Sequence, residues 1–156
     1  MHLAAIGLGS NLDSPYGDRE ANLREAIRRV SAFGRIRAVS QFRDTAPIGP
    51  ADQPRYLNGA LLLETTLEPL PLMRILLAIE LEMGRDRTQG QPKGPRIIDL
   101  DLLLMDDAVI NTPELKLPHP AMTERRFVLE PLAEIAPAMR HPISGRTIAE
   151  LLHLIV

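Results

Sequence analysis

The run Gly94-Pro95-Arg96-Ile97-Ile98-Asp99-Leu100-Asp101-Leu102-Leu103-Leu104 alternates in a way that constrains the rest of the chain. Side chains on a strand point to alternate faces, so Ile98, Leu100, Leu102 and Leu104 are expected on one side and Asp99 and Asp101 together on the other. One face belongs to a core and the other presents two carboxylates. Like charges at that spacing repel and Asp is a poor strand former, so a positive group is expected between them. Hard carboxylate oxygens suit magnesium or manganese. Arg85, Arg87, Lys93 and Arg96 just upstream suggest phosphate as the metal's other partner. For an isolated Asp-x-Asp the plain alternative is a half-buried strand with a solvated polar face; the cations clustered beside this one weigh against it.

At 156 residues, 45% of them hydrophobic, residues 1–156 are expected to form a single domain with its own core. The absence of cysteine excludes thiol catalysis, Cys-zinc sites and disulfides. The segment Met1-His2-Leu3-Ala4-Ala5-Ile6-Gly7 has no basic leader. No apolar run approaches the roughly 18 residues needed to span a bilayer, so a cytoplasmic protein with no membrane partner is expected. A net charge of −2 argues against a general nucleic-acid binder. Of the 18 basic residues only Lys93 and Lys116 are lysines, and the planar fork of arginine suits bidentate phosphate contacts. An overall bias to arginine also follows from genomic base composition in many proteins, so only the cluster from Arg85 to Arg96 is weighed as functional.

Elsewhere the pattern predicts a strand over residues 2–8. It runs into Gly7-Leu8-Gly9-Ser10-Asn11-Leu12, read as a structural turn because neither the dinucleotide fingerprint nor a Walker loop is complete. A helix over 18–33 (Leu23, Ala26, Ile27, Val30, Phe33) ends at Gly34. A partly exposed strand over 35–43 and a proline-rich loop over 44–54 follow. Tyr56–Thr65 reads as a strand with Leu61, Leu63 and Thr65 opposite Asn58, Ala60 and Leu62. A second helix starts at Glu68-Pro69 and ends at Gly84. After the Asp-x-Asp strand come a hairpin over 109–117 and helices near 123–135 and 147–155. The order β-α-β-β-α-β predicts an α+β fold, a ferredoxin-like two-layer sandwich with an antiparallel sheet and an added C-terminal hairpin and helices.

Taken in order, Gly9-Ser10-Asn11-Leu12, Thr45-Ala46-Pro47-Ile48-Gly49-Pro50, Asp52-Gln53-Pro54, Tyr56-Leu57-Asn58, Glu80, Gly84-Arg85-Asp86-Arg87, Gly94-Pro95-Arg96-Ile97-Ile98-Asp99-Leu100-Asp101, Leu117-Pro118-His119-Pro120 and Arg125-Arg126-Phe127 resemble the 6-hydroxymethyl-7,8-dihydropterin pyrophosphokinase family nearly end to end. The resemblance implies transfer of diphosphate from ATP to a pterin alcohol, with release of AMP, in folate biosynthesis. It implies that Asp99 and Asp101 hold two magnesium ions and that Arg85 and Arg96 stabilise the transferring phosphates. It implies ATP contacts from Glu80, Arg87, Arg96, Leu102, Lys116, His119 and Arg125. It further implies a pterin site of Thr45, Ala46, Pro47, Ile48, Tyr56, Asn58 and Phe127, in a monomer that needs neither nucleic acid nor membrane. No protein general base is evident.

Three positions depart from the pattern. Lys93 stands where some members carry tryptophan, Ala46 where proline is frequent, and Pro120 where an aromatic often follows the histidine. The segment 84–94 is expected to act as a lid closed by arginine and lysine contacts. Two rivals are a nucleotidyltransferase attacking the α-phosphorus with the same carboxylates and a non-enzymatic small-molecule sensor. Product identity separates the first, and magnesium- and pterin-dependent ATP turnover excludes the second.

Overall fold

The computed structural model describes residues 1–45, 55–84 and 96–155. Its centre is an antiparallel five-stranded sheet whose main path runs β2 (Arg35–Val39), β4 (Tyr56–Thr65), β1 (His2–Ser10), β5 (Asp99–Met105), with β3 (Arg43–Thr45) also paired to β4. Helices α1 (Arg19–Val30) and α2 (Pro69–Glu82) cover one face. Leu23, Ala26, Val30, Leu72, Leu76, Ile79 and Met83 meet Ala4, Ile6, Leu8, Leu61, Leu63, Ile98, Leu100 and Leu102 there. The long alternating strands and the 3.6-residue stripes predicted from sequence supply these contacts. A hairpin of β6 (Ile110–Asn111) and β7 (Lys116–Leu117) adds Leu115 and Leu117 to the same core.

The opposite face carries helices too. Helices α3 (Arg126–Ile135) and α4 (Ile148–Leu154) bury Leu129, Leu132, Ile148 and Leu151 against Ala5, Ala60, Leu62, Leu103 and Leu104. The two-layer expectation therefore becomes a sheet with helices on both faces. Leu104 was expected beside Leu100 and Leu102 but lies in this second core. The cause is a bulge: Ile6 pairs with Leu102 and Ala5 with Leu104, so Leu103 is inserted and the alternation slips.

Other differences have local causes. The strand expected over 35–43 is broken at Ser40, whose N–H still donates to the Ala60 carbonyl and whose Oγ accepts the Ala60 amide, both at 2.9 Å. Arg43–Thr45, assigned in part to a loop, forms β3. The glycines read as a turn lie within β1. Helix α1 ends at Val30 in a short 3₁₀ turn, after which Gly34 passes so close to β4 that a Cβ would sit 2.2 Å from the Glu64 carbonyl oxygen. The proposed stop at Gly84 holds, with φ of 103°. A capping box of Thr147 and Glu150 starts α4. No described helix is long and apolar enough to cross a membrane.

The start of β1 is tied down by charge. His2 Nδ1 lies 2.6 Å from Asp106 Oδ2 and Nε2 lies 3.3 Å from Glu68 Oε2. The hydrogen bond to Asp106 raises the imidazole above its ordinary value, against desolvation and with help from Glu68. Desolvation pushes the Asp106 carboxyl up, but the Leu3 amide and His2 outweigh it and leave it low. A raised imidazole contributes stability in full below the unfolded value of about 6.5 and loses it as pH rises through the folded one. His2→Asn is therefore expected to lower the melting temperature at about pH 5.5 and to have little effect near pH 9. Thermal melts of both proteins at both pH values check this, and an equal deficit at both would remove the charged clamp.

Candidate active site

The site is built from register. Asn58, Gly9 and Asp99 lie directly opposite one another across β4, β1 and β5, and Ala60, Gly7 and Asp101 form the next row. Directly opposed residues of a sheet share a face. The two carboxylates and the Asn58 amide thus project on the same side, separated by a strand that carries only glycine there. A Cβ on Gly9 would approach Asn58 Oδ1 to 3.1 Å and Asp99 Cβ to 3.8 Å, and one on Gly7 would meet Leu103 at 3.4 Å. The glycines leave a trough between the amide and the acids.

Around this floor is a cavity of about 260 Å³, lined among others by Thr45, Tyr56, Asn58, Arg96, Asp99, Asp101, Arg125 and Phe127. Arg96 supplies the positive group expected beside the acids, its Nη1 lying 3.4 Å from Asp99 Oδ2 with both side chains largely buried. Asn58 donates from Nδ2 to Thr45 Oγ1, which fixes the amide orientation and turns its carbonyl oxygen toward Gly9. Arg125, at the start of α3, places its guanidinium carbon 5.7 Å from the centre of the Phe127 ring. Helix α3 therefore does two things: it buries Leu129 and Leu132 in the second core and delivers an aromatic and a cation to the rim.

The walls are braced from outside. Asp44 receives both Arg19 (3.1 Å) and Arg55 (2.9 Å), and Arg19 also donates to the Arg55 carbonyl at 2.9 Å. The Arg19 and Arg55 hydrogen bonds hold the Asp44 carboxyl below its usual range. Arg43 reaches across to Glu134 of α3 at 2.7 Å, and Glu134 also accepts the Gln41 amide. Thr45 and Phe127 are thereby referred to one frame.

Not every expected residue reaches the cavity. Glu80, expected to contact nucleotide, is 1% exposed, and its Oε2 accepts the Leu100 amide at 2.7 Å. The side chain of Leu102 is buried in the α1/α2 core, so only its main chain could face a ligand. Lys116 is exposed on the hairpin, with Nζ 2.9 Å from Asn111 Oδ1. His119 follows a cis Leu117–Pro118 peptide and accepts the Ala121 amide at Nδ1. Burial lowers its imidazole from the ordinary value, Arg125 adds to that and Asp99 opposes it. Ala46, Pro47, Ile48, Arg85, Arg87, Lys93 and most of the expected lid lie outside the described residues. Sequence reading missed Gly7, Gly9, Leu8, Gly59 and Val128 as lining residues. For the first two, the same-face alternation along β1 was the available signal.

Among the described residues no group of three or more His, Asp or Glu side chains gathers as a metal cage. The two carboxylates open onto a trough beside a guanidinium. That donor set is incomplete alone but matches a hard cation that keeps waters and takes its remaining ligands from phosphate.

Comparison with known proteins points the same way. Residues 5–137 match the family described as 7,8-dihydro-6-hydroxymethylpterin-pyrophosphokinase. The chain is 47% identical over 147 residues to the 2-amino-4-hydroxy-6-hydroxymethyldihydropteridine pyrophosphokinase of Pseudomonas aeruginosa, covering 94% of this chain and 88% of that one. It is 43% identical over 136 residues to the Bacillus subtilis protein of the same name, covering 86% and 78%. The solved wild-type HPPK-DHPS of Plasmodium falciparum superposes with a TM-score of 0.78 at 17% identity, a likeness of fold. It takes in 97% of this chain, which spans 44% of that larger one.

The buried bond from Glu80 to the strand between the two acids has a measurable consequence. Glu80→Ala leaves the Leu100 amide unsatisfied and is expected to cost about 1–3 kcal/mol or more, whereas Glu80→Gln keeps an acceptor and should cost less. Urea denaturation of both variants decides, and a Glu80→Ala protein as stable as the parent would show that the bond contributes nothing.

Proposed function

Because this chain belongs to the 7,8-dihydro-6-hydroxymethylpterin-pyrophosphokinase family, we propose a division of labour within its cavity. The activity is transfer of diphosphate to the hydroxymethyl group of 6-hydroxymethyl-7,8-dihydropterin, with ATP as co-substrate, in folate biosynthesis. The observation that carries the proposal is the row Asn58, Gly9, Asp99, which puts an oriented amide and the paired acids on one floor.

In this reading the pterin lies over Gly9. Asn58 and Thr45 meet its hydrogen-bonding edge, and Tyr56 and Phe127 pack on its rings. Ala46, Pro47 and Ile48 extend that site by their sequence positions. Asp99 and Asp101 hold magnesium, two ions being the expected number, through hard oxygens that the glycine trough leaves open. When bound, magnesium neutralises phosphate charge and helps to align the transferring group.

The hydroxymethyl oxygen attacks the β-phosphorus and gives up its proton to solvent, and the bond from that phosphorus to the oxygen shared with the α-phosphate breaks, leaving that oxygen on AMP. Negative charge spreads over phosphate oxygens in the transition state. Arg96 stands beside Asp99 to receive it, and Arg125 at the rim, with Arg85 and Arg87 by their sequence positions, adds phosphate contacts. Among the described lining residues no carboxylate other than Asp99 and Asp101 and no imidazole is present, so no protein general base is assigned. Positioning supplies the catalysis instead. His119, Lys116 and the main chain of Leu102 are assigned to the nucleotide side. The strand order β2-β4-β1-β5, with the helices α1 and α2 between pairs of strands, supports a ferredoxin-like core at the centre of this fold.

Product analysis tests the reaction: one AMP is expected for each pterin diphosphate formed, and release of pyrophosphate would instead mean attack at the α-phosphorus. Asp99→Ala and Asp101→Ala are each expected to abolish turnover with little loss of fold stability, since each also relieves carboxylate repulsion. Arg96→Ala is expected to slow the chemical step on the order of 100-fold or more, about 2.7 kcal/mol, and to leave pterin affinity nearly unchanged. Single-turnover kinetics with equilibrium pterin binding measure both quantities. Near-parental turnover of either Asp variant in saturating magnesium would remove the metal assignment.

A further inference from the structure

We propose that Asn11 is a positioning residue that aims Arg96 at the transferring phosphate; this rests on the phosphate role assigned to Arg96 above. The contact is reciprocal. Asn11 Oδ1 accepts the Arg96 amide at 2.7 Å, and the Asn11 amide donates to the Arg96 carbonyl at 3.1 Å. One residue thus holds both main-chain groups of another that lies 85 positions away, the N–H by its side-chain oxygen and the carbonyl by its own main-chain N–H. Fixing both groups fixes the peptide orientation at Arg96, and with it the direction in which the long side chain leaves the backbone.

The clamp is buried and supported from below. Asn11 is 2% exposed, and Ser10 and Asn22 beside it are fully buried. Asn22 Nδ2 donates to the Leu12 carbonyl at 2.8 Å and to Ser10 Oγ at 3.2 Å, and Ser14 bonds to Asn22 Oδ1. Asn22 lies on α1, whose Leu23 and Ala26 are locked in the core, so Asn11 is referenced to the rigid part of the molecule. Buried polar networks of this kind specify one geometry because leaving any member unpaired is costly. Arg96 stands three residues before Asp99, where the acid-bearing strand begins, and its guanidinium lies 3.4 Å from that carboxylate. Without the Asn11 side chain the Arg96 N–H loses this acceptor and only the carbonyl stays held by the Asn11 main-chain N–H, so one of the two constraints on the guanidinium's direction is gone. The cost then falls on the step in which phosphate charge develops, and pterin binding is spared. A misplacement of about 1 Å can cost on the order of 100-fold in rate.

The test is a double-mutant cycle with an exchange measurement. Asn11→Ala is expected to lower single-turnover rate about 10- to 100-fold with pterin KM little changed, and to cost less than about 2-fold in an Arg96→Ala background, because the aim of an absent guanidinium is immaterial. In the ligand-free protein, hydrogen exchange at the Arg96 amide should accelerate at least about 10-fold in Asn11→Ala. Asn11→Asp, which keeps the oxygen and its reach, should restore that protection. Asn11→Ser, whose hydroxyl falls short of the Arg96 amide, is carried in parallel and must show the same dependence on Arg96, so a misfolded alanine variant does not end the experiment. Equal losses in both backgrounds, or undiminished protection at Arg96, overturn the proposal. Parental turnover by Arg96→Ala alone would show instead that the phosphate role of Arg96 is wrong, and the positioning role falls with it.

Discussion

Repulsion between two aspartates on one strand face is the constraint to which the rest of this structure answers. Asp99 and Asp101 stand next to each other on β5, and like charges so placed destabilise a strand. Three features offset the cost. Glycines opposite both acids leave space for them to face a cavity and not a packed surface. Arg96 brings a guanidinium to Asp99. Glu80 holds the amide of the residue between them from behind. The last places a third carboxylate near the pair, but it is bound to a backbone donor and buried away from the trough.

The same strand has to change character along its length. Up to Asp101 its second face is polar and open, whereas from Leu103 onward it is apolar and covered by α3 and α4. The bulge at Leu103 makes this change abrupt, because Leu103 and Leu104 both join the second core and neither is left to alternate. Burying each leucine is worth roughly 1.5–3 kcal/mol, enough to hold the irregular ladder. Leu103 also packs beside Gly7, so the second core begins next to a residue of the cavity floor.

The site is framed by elements distant in sequence, and the frame is electrostatic where it is exposed and apolar where it is buried. Arg19, Asp44 and Arg55 join α1 to both sides of the segment 46–54, while Arg43 and Glu134 join β3 to α3. Exposed ion pairs contribute little stability singly. Their value here is geometric, since they refer Thr45, Phe127 and Arg125 to the same sheet.

The alternation of Ile98 to Asp101, the helical stripes of α1 and α2, and the stops at Gly34 and Gly84 determine the main elements and the shared face of the acids, because each depends on local geometry of the backbone. The motif run likewise marked Asn58, Arg96, Asp99, Arg125 and Phe127, which the fold gathers into one cavity. What the sequence could not decide depends on partners far along the chain. Gly7 and Gly9 read as a turn until β4 and β5 lie on either side of β1 and make them a floor. Glu80 meets the Leu100 amide only because the outer edge of β5 comes within reach of its carboxylate. Leu104 changed sides because a bulge can be seen only once two strands are in register, and Asn11 found its partner only when the start of the chain met Arg96. Periodicity fixes which way a side chain points from its own element; only tertiary packing decides what it then meets.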